Sequence, residues 1–208
     1  AYKYLNWSTV NTVKDEPLTL GGKTIKNWDG QYHGSMSISD ALLNSWNIPA
    51  ITTFQEVKKA AGSDAIIKDM ESVGIDMSDQ DKELSDTYAI GGWKTGVSPV
   101  ELAGAYATIA NNGNYIESHT INYVEVVETN KTVKIDEELQ KNVTQSIGED
   151  VSFMIRETML SYSSSTTGSY SSLSGLDNVG AKTGTSNWDS TSPYVKAGKS
   201  RDLWTTAY

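Results

Sequence analysis

Ala181-Lys182-Thr183-Gly184-Thr185-Ser186-Asn187 is the stretch whose reading decides the fold of this chain. It follows Val179-Gly180, and a small, apolar run of that kind suits a buried strand. Glycine at 184 lets a ligand backbone approach the strand edge closely. A lysine-threonine-glycine triplet alone says little, because the chain holds a second copy, Lys94-Thr95-Gly96. That copy follows Gly91-Gly92-Trp93 and leads into Ser98-Pro99-Val100-Glu101, so it reads as an exposed turn before a capped helix. A phosphate loop is the competing reading of the later copy. Gly175 to Thr183 nearly spells one, but Ala181 is inserted between the second glycine and the lysine. Such a loop aims successive backbone N–H groups at phosphates and does not tolerate the insertion.

Upstream, Ser45-Trp46-Asn47 sits in an informative place. Ser37 with Asp40 starts a short helix through Ala41, Leu42 and Leu43. Pro49 cannot sit inside that helix but can open another, so Ser45-Trp46-Asn47 lies on the joint between two helices. The second helix runs through Phe54 and Val57 to Gly62. Ser63 caps a third, with Ile66, Ile67, Met70 and Val73 at helical spacing and Gly74 as its stop. Ser98 to Glu101 opens a fourth, ended by Asn111-Asn112-Gly113-Asn114. Tyr115 to Val133 reads as a hairpin turning near Thr129-Asn130-Lys131. Residues 149–160 give a helix with Val151, Met154, Ile155 and Met159 on one face. Ser161 to Ser174 is a low-complexity loop; Asp177 to Thr185 and Leu203 to Tyr208 are strands. Residues 1–34, rich in turn formers, read as an extended surface segment with little regular structure.

Composition narrows the class. The 208 residues suit one domain with a substantial core, and 38% hydrophobic content marks it as globular. A net charge of −9 with no basic cluster argues against a nucleic-acid partner. With no cysteine there is no disulfide, no thiolate zinc site and no thiol nucleophile. No apolar run approaches the roughly 18 residues of a membrane helix. His33 and His119 read as surface residues without metal-ligand spacing. No cofactor is expected.

Order and surroundings lift the motifs above chance. Ala41-Leu42-x-x-Ser45-x-Asn47-Ile48-Pro49-Ala50 resembles the second-motif region of class A penicillin-binding proteins. Gly91-Gly92, then Gly96-Val97-Ser98-Pro99-Val100-Glu101-Leu102-Ala103-x-Ala105-Tyr106-Ala107, resembles a helical signature of these transpeptidases. Lys182-Thr183-Gly184-Thr185, then Asp202-x-Trp204 and Tyr208, resembles the third motif and the strand after it. The resemblance spans about residues 7–208.

The resemblance implies an α/β fold of the α+β type, β-lactamase/transpeptidase-like. An antiparallel sheet is flanked by helices, with the active site between the sheet edge and a helical subdomain. Residues 1–208 would be the C-terminal portion of one transpeptidase domain, incomplete at both ends. The implied reaction is D,D-transpeptidation of peptidoglycan stem peptides through an acyl-serine, which β-lactam antibiotics also acylate. Ser45 would relay a proton to the leaving amine, and Asn47 would bond the nucleophile's lysine or a substrate amide. Lys182 would add positive charge near Ser45 and the substrate carboxylate, with the Thr183 and Thr185 hydroxyls beside it. The Thr185 N–H would be half of an oxyanion hole; Trp46 would either wall the cleft against substrate or pack, and Gly184 would let the substrate backbone approach. No serine here has a lysine three residues later, so the Ser-x-x-Lys nucleophile is expected upstream in the same domain. This chain alone is then expected to be inactive. A glycosyltransferase domain further upstream and a place at the extracytoplasmic face of a bacterial membrane also follow from the resemblance. Two alternatives stay open: a non-catalytic peptidoglycan- or partner-binding module of the same fold, and a D,D-carboxypeptidase or β-lactamase. Upstream Ser-x-x-Lys separates enzyme from binder, and rapid deacylation marks the hydrolase.

Overall fold

The computed structural model describes residues 1–140, 143–163, 175–176, 178–187 and 199–208. The first third is more regular than its turn formers suggest. It holds helix α1 (Tyr2–Leu5) and strands β1 (Thr12–Asp15), β2 (Leu18–Leu20), β3 (Lys23–Ile25) and β4 (Gly34–Ser37). The expectation of little regular structure in residues 1–34 is therefore corrected; the segment is otherwise exposed or half-buried, with Val13, Asp15 and Asn27 buried. These strands are only three or four residues long, too short for alternation to register against the glycines around them.

Strand β4 runs straight into α2 (Ile38–Leu43), followed by α3 (Asn47–Ala61) and α4 (Ser63–Ser72). Ser37 caps α2 by accepting the Asp40 N–H at 3.0 Å. Ser63 opens α4 but does not cap it; its Oγ instead accepts the Leu84 N–H and donates to Glu83. The end of α4 is a two-bond cap. Gly74 N donates to Glu71 O and Ile75 N to Met70 O, with Gly74 in the left-handed region at φ 85°. A Cβ on Gly74 would also lie 2.4 Å from the Tyr115 hydroxyl, so glycine is required there twice over.

A 3₁₀ turn (Asp86–Ile90) packs on α3 and leads to α5 (Pro99–Ala110). The expected capping box is complete: Glu101 N donates to Ser98 Oγ at 3.2 Å and Ser98 N to Glu101 Oε2 at 2.7 Å. Glu101 Oε1 also takes the Asp76 N–H, which ties the chain after α4 to the start of α5. Val57, Ile66, Val73, Ile75, Met77, Leu84, Tyr88 and Ala105 form the core between these helices.

The second half adds β5 (Asn114–Tyr115), the hairpin β6 (Tyr123–Val126) and β7 (Lys131–Lys134), α6 (Ile135–Gln140), β8 (Thr144–Gln145) and α7 (Glu149–Ser163). It closes with β9 (Ala181–Asn187) and β10 (Ser200–Ala207). The hairpin turns where expected. The strand expected from Asp177 begins at Ala181, and Asp177 itself lies outside the described residues, as does 164–174 of the serine-rich loop. Among the described residues the strands pair antiparallel in five two-stranded ladders: β1–β4, β2–β3, β5–β8, β6–β7 and β9–β10. Helix α7 packs against α2, α5 and β9, so it joins the helical part to the β9–β10 hairpin. Ser152 Oγ donates to Ile109 O at 2.8 Å, and Thr158 and Ser39 share a hydroxyl bond at 3.1 Å.

The capping box makes stability pH-dependent. Hydrogen bonds from Ser98, then from the Asp76 N–H, hold the Glu101 carboxyl below its usual 4.5. A depressed carboxyl stabilises the fold above its unfolded value, and that contribution disappears as pH falls through the folded value. Glu101→Gln is therefore expected to be less stable than the parent at pH 7, with the gap closing below about pH 4.5. Urea unfolding of both proteins from pH 7 to pH 3 checks this; a gap that is constant with pH contradicts it.

Candidate active site

The joint between α2 and α3 is a tight cap with a serine where glycine normally sits. Ser45 N donates to Leu42 O at 3.1 Å and Trp46 N to Ala41 O at 3.0 Å, the same two-bond pattern that ends α4. Ser45 occupies the left-handed position at φ 57°. A non-glycine residue there is strained by about 1–2 kcal/mol. The strain projects the hydroxyl outward from the end of α2, and Lys182 meets it: Lys182 Nζ donates to Ser45 Oγ at 2.8 Å and to Thr183 O at 2.8 Å. Burial pushes the Lys182 ammonium below the usual lysine range.

The ladder register fixes how β9 faces the joint. Gly180 and Tyr208 exchange both backbone bonds, at 3.1 and 2.9 Å. Hydrogen-bonded and non-hydrogen-bonded pairs alternate along an antiparallel ladder. Counting in register, Lys182–Thr206 and Gly184–Trp204 are bonded pairs, whereas Thr183–Thr205 and Thr185–Leu203 are not. The backbone N–H groups of Thr183 and Thr185 therefore point away from β10, toward the edge of β9. Among the described residues β10 is the sole ladder partner of β9. Gly184 has no fold-based need to be glycine: its φ is not positive, and an added Cβ would find only Trp204 Cβ, at 3.9 Å.

Both motifs line one cavity of about 730 Å³. Ser45, Trp46 and Asn47 form one wall, and Lys182, Thr183, Gly184 and Thr185 another. All seven residues expected from the sequence are thus brought together. The inner surface is apolar, with Ala41, Pro49, Ile90, Val97, Leu102 and Ile155. Asn47 faces its neighbour rather than Lys182: its Nδ2 donates to Lys26 O at 3.0 Å, leaving the amide oxygen for an incoming donor. The first Lys-Thr-Gly copy is a turn, as expected, and Lys94 is exposed, 3.9 Å from Asp81. Its neighbours Thr95 and Gly96 nevertheless reach the cavity, because buried Gln80 binds the Lys94 N–H, the Thr95 hydroxyl and Gly96 O. Among the described residues no group of three or more His, Asp or Glu is placed to hold a metal ion.

Sequence reading missed the residues that hold the joint. Trp46, 9% exposed, is stacked between Trp28 (centroids 5.4 Å apart) and His33 (4.0 Å). The His33 ring is thus next to the joint, with Nε2 2.9 Å from Asp29 Oδ2. Trp46 offers no side-chain cap to α3; Asn27 does so from a distance, its Oδ1 accepting the N–H groups of Asn47 at 3.0 Å and Ile48 at 3.4 Å. The signal in the sequence was slight: Asn27-Trp28-Asp29-Gly30 has the composition of any turn.

A mixed helix and antiparallel-sheet fold with these two motifs across a cleft defines a class. The chain matches the penicillin binding protein transpeptidase domain over residues 6–208, and it belongs to that family. It is 33% identical over 208 residues to penicillin-binding protein 1A/1B of Bacillus subtilis (strain 168), covering 97% of this chain but 21% of that protein. Penicillin-binding protein 1F of the same organism is 30% identical over 197 residues, covering 94% and 25%. The chain thus spans about a quarter or less of the curated relatives it matches here. In fold it is similar to the penicillin-binding protein PonA1 from Mycobacterium tuberculosis, with a TM-score of 0.76 at 21% identity, covering 97% of this chain and 52% of that one.

The strained cap yields a test that needs no substrate. Ser45→Gly and Ser45→Ala both remove the acceptor of the Lys182 bond, but only glycine relaxes the left-handed residue. Ser45→Gly is expected to be more stable than Ser45→Ala by about 1 kcal/mol. Urea denaturation midpoints compared at equal slope measure this, and equal midpoints would show that the cap carries no strain.

Proposed function

We propose that residues 1–208 are the C-terminal portion of the transpeptidase domain of a peptidoglycan D,D-transpeptidase. It cross-links stem peptides through an acyl-serine intermediate and is acylated by β-lactams. The observation that carries the reading is the Lys182–Ser45 contact at 2.8 Å, made across a cavity lined by both motifs.

A serine at its ordinary pKa is a poor nucleophile and needs an adjacent base. In this reading the serine and its lysine base come from a Ser-x-x-Lys segment outside residues 1–208, seated on the apolar inner surface of the cavity. The nucleophile's oxygen bonds the penultimate D-alanine carbonyl carbon and its proton passes toward Ser45. The carbon–nitrogen bond to the last D-alanine then breaks, and Ser45 delivers the proton to the leaving amine. The amine of a second stem peptide next bonds the acyl carbon, the carbon–oxygen bond to the serine breaks, and a proton from the amine returns to the serine oxygen. Lys182 assists by donating into Ser45 Oγ, which makes the Ser45 proton a better acid. A lysine below its usual range also exchanges protons more readily with its neighbours. The charge on Lys182 and the hydroxyls of Thr183 and Thr185 would bind the substrate carboxylate. The Thr185 N–H, turned toward the strand edge, would be half of an oxyanion hole, the other half coming from the nucleophile segment. Losing such a donor costs about 3–4 kcal/mol of transition-state stabilisation. The open space over Gly184 supports close approach of a substrate backbone. PonA1 from Mycobacterium tuberculosis, whose fold this chain shares, is seen in complex with penicillin V, which supports β-lactam binding in this reading. Such a domain would work at the extracytoplasmic face of a bacterial membrane, with a glycosyltransferase domain upstream. No helix among the described residues is long and apolar enough to cross a membrane.

The two Lys-Thr-Gly copies discriminate. In the full-length chain with its nucleophile, Lys182→Ala removes a charge-assisted contact worth about 1.5–3 kcal/mol. Penicillin acylation is expected to slow by at least about tenfold. Lys94→Ala is a surface change of about 0.5 kcal/mol or less in stability, with acylation unchanged. Residues 1–208 alone are expected to take no covalent label from a fluorescent penicillin. A label mapped to any serine of residues 1–208, or a slow Lys94→Ala beside a normal Lys182→Ala, overturns the assignment. Rapid turnover of the acyl group would instead mark a hydrolase.

A further inference from the structure

Asp15 is the most enclosed ionisable side chain away from the cleft. It is 0% exposed, and Oδ1 is buried with no hydrogen-bond partner among the described residues. Its Oδ2 takes two bonds, from Asn27 Nδ2 at 2.7 Å and from the His33 N–H at 2.8 Å. Stability alone does not favour this arrangement. A buried carboxyl group with one oxygen unpaired is a net cost that an apolar residue would avoid. What Asp15 supplies is one oxygen that accepts two hydrogen bonds and so ties two distant groups to the same point.

The two groups it grips are the two supports of the Ser45–Trp46–Asn47 segment. Asn27, held through Nδ2, presents Oδ1 to the N–H groups of Asn47 and Ile48 and so caps α3. A second bond from Nδ2 to Gln31 O fixes the amide orientation. His33, held through its backbone, stacks on Trp46, whose other face meets Trp28. The β1–β4 pairing places Asp15 opposite Gly34, beside His33, and α3 packs on β1. One carboxylate thus reaches, through Asn27 and His33, the residues that directly follow Ser45, whose hydroxyl faces Lys182.

We infer that Asp15 is a positioning residue: through Asn27 and His33 it holds Ser45 in the left-handed conformation that presents its hydroxyl to Lys182. The inference rests on the proposal that Ser45 serves the acyl transfer, and its test separates the two. In the full-length chain, Asp15→Ala is expected to slow penicillin acylation per folded molecule about tenfold. Hydrogen exchange in peptides spanning residues 44–50 should quicken about tenfold, while exchange in α5 stays the same. Asn27→Asp alone sets two carboxylates against each other and should fail likewise. Asn27→Ala removes the intermediary and should slow acylation and quicken exchange in the same peptides. Because Asp15 acts through Asn27 and His33, adding Asp15→Ala to Asn27→Ala should slow acylation by no more than about threefold further.

A purely structural role would move exchange everywhere, and the effects of the two alanine substitutions would then multiply. Asp15→Ala that acylates and exchanges like the parent overturns the inference, as does a double variant slowed by the product of the two single effects. If Asp15→Ala does not fold, Asn27→Ala decides alone: normal acylation or normal exchange over residues 44–50 overturns the inference. If the parent itself is not acylated, the proposed function fails, and the exchange arm still decides the role of Asp15.

Discussion

The left-handed turn at Ser45 is the constraint on which the rest of the cleft depends. It stops α2, starts α3 one residue after Trp46, and leaves backbone groups at both helix ends to be satisfied across a three-residue gap. Three consecutive residues from a distant loop meet those groups. Lys26 O receives the Asn47 side chain, Asn27 caps the first turn of α3, and Trp28 Nε1 donates to Asn44 O at 3.1 Å. The indole then covers Trp46. A short loop is therefore the template on which the joint is formed, and the joint is rigid because the loop is bonded to both helices.

Comparison of two caps in this chain shows what the serine is for. The ends of α2 and α4 have the same hydrogen-bond pattern, and both need a residue at positive φ. At α4 the residue is Gly74, the unstrained choice, further enforced by the Tyr115 ring. At α2 nothing but the backbone favours or forbids a side chain, and serine is present despite its strain. Folding alone would select glycine in both places. A hydroxyl is retained only where Lys182 meets it, so the strain belongs to the cleft and is balanced by packing elsewhere.

Local signals were legible and remote ones were not. Ser98-Pro99-Val100-Glu101 specified its helix because cap, proline and glutamate act within one turn, and all of it was found in place. Pro49 located the joint for the same reason. Lys182 was separable from Lys94 because Val179-Gly180-Ala181 suits a strand while Gly91-Gly92 suits a turn. The strands of residues 1–34 and the burial of Asp15 and Asn27 are decided elsewhere. Asp15 and Asn27 look like turn residues until α3 is placed on β1, His33 is exposed as its sequence suggests, and the bonds that matter link positions 12 to 21 residues apart. The approach of Thr95 and Gly96 to the cavity was hidden likewise, since it depends on Gln80 being buried under Tyr88.

The cleft concentrates departures from what stability alone would choose. A serine stands at a glycine position, a half-buried lysine is held below its usual range, and a glycine sits in a strand that has room for a side chain. The three lie along one line: Ser45 Oγ is in contact with Lys182 Nζ, and Gly184 is the next bonded pair along β9 from Lys182. Each departure alone has an ordinary explanation in a protein of this size. Their alignment has a physical one. In the proposed function, a proton donor, the charge that tunes it and a strand edge turned toward the cavity are what a peptide substrate would meet. The left-handed turn at Ser45 brings the first of them within 2.8 Å of the second.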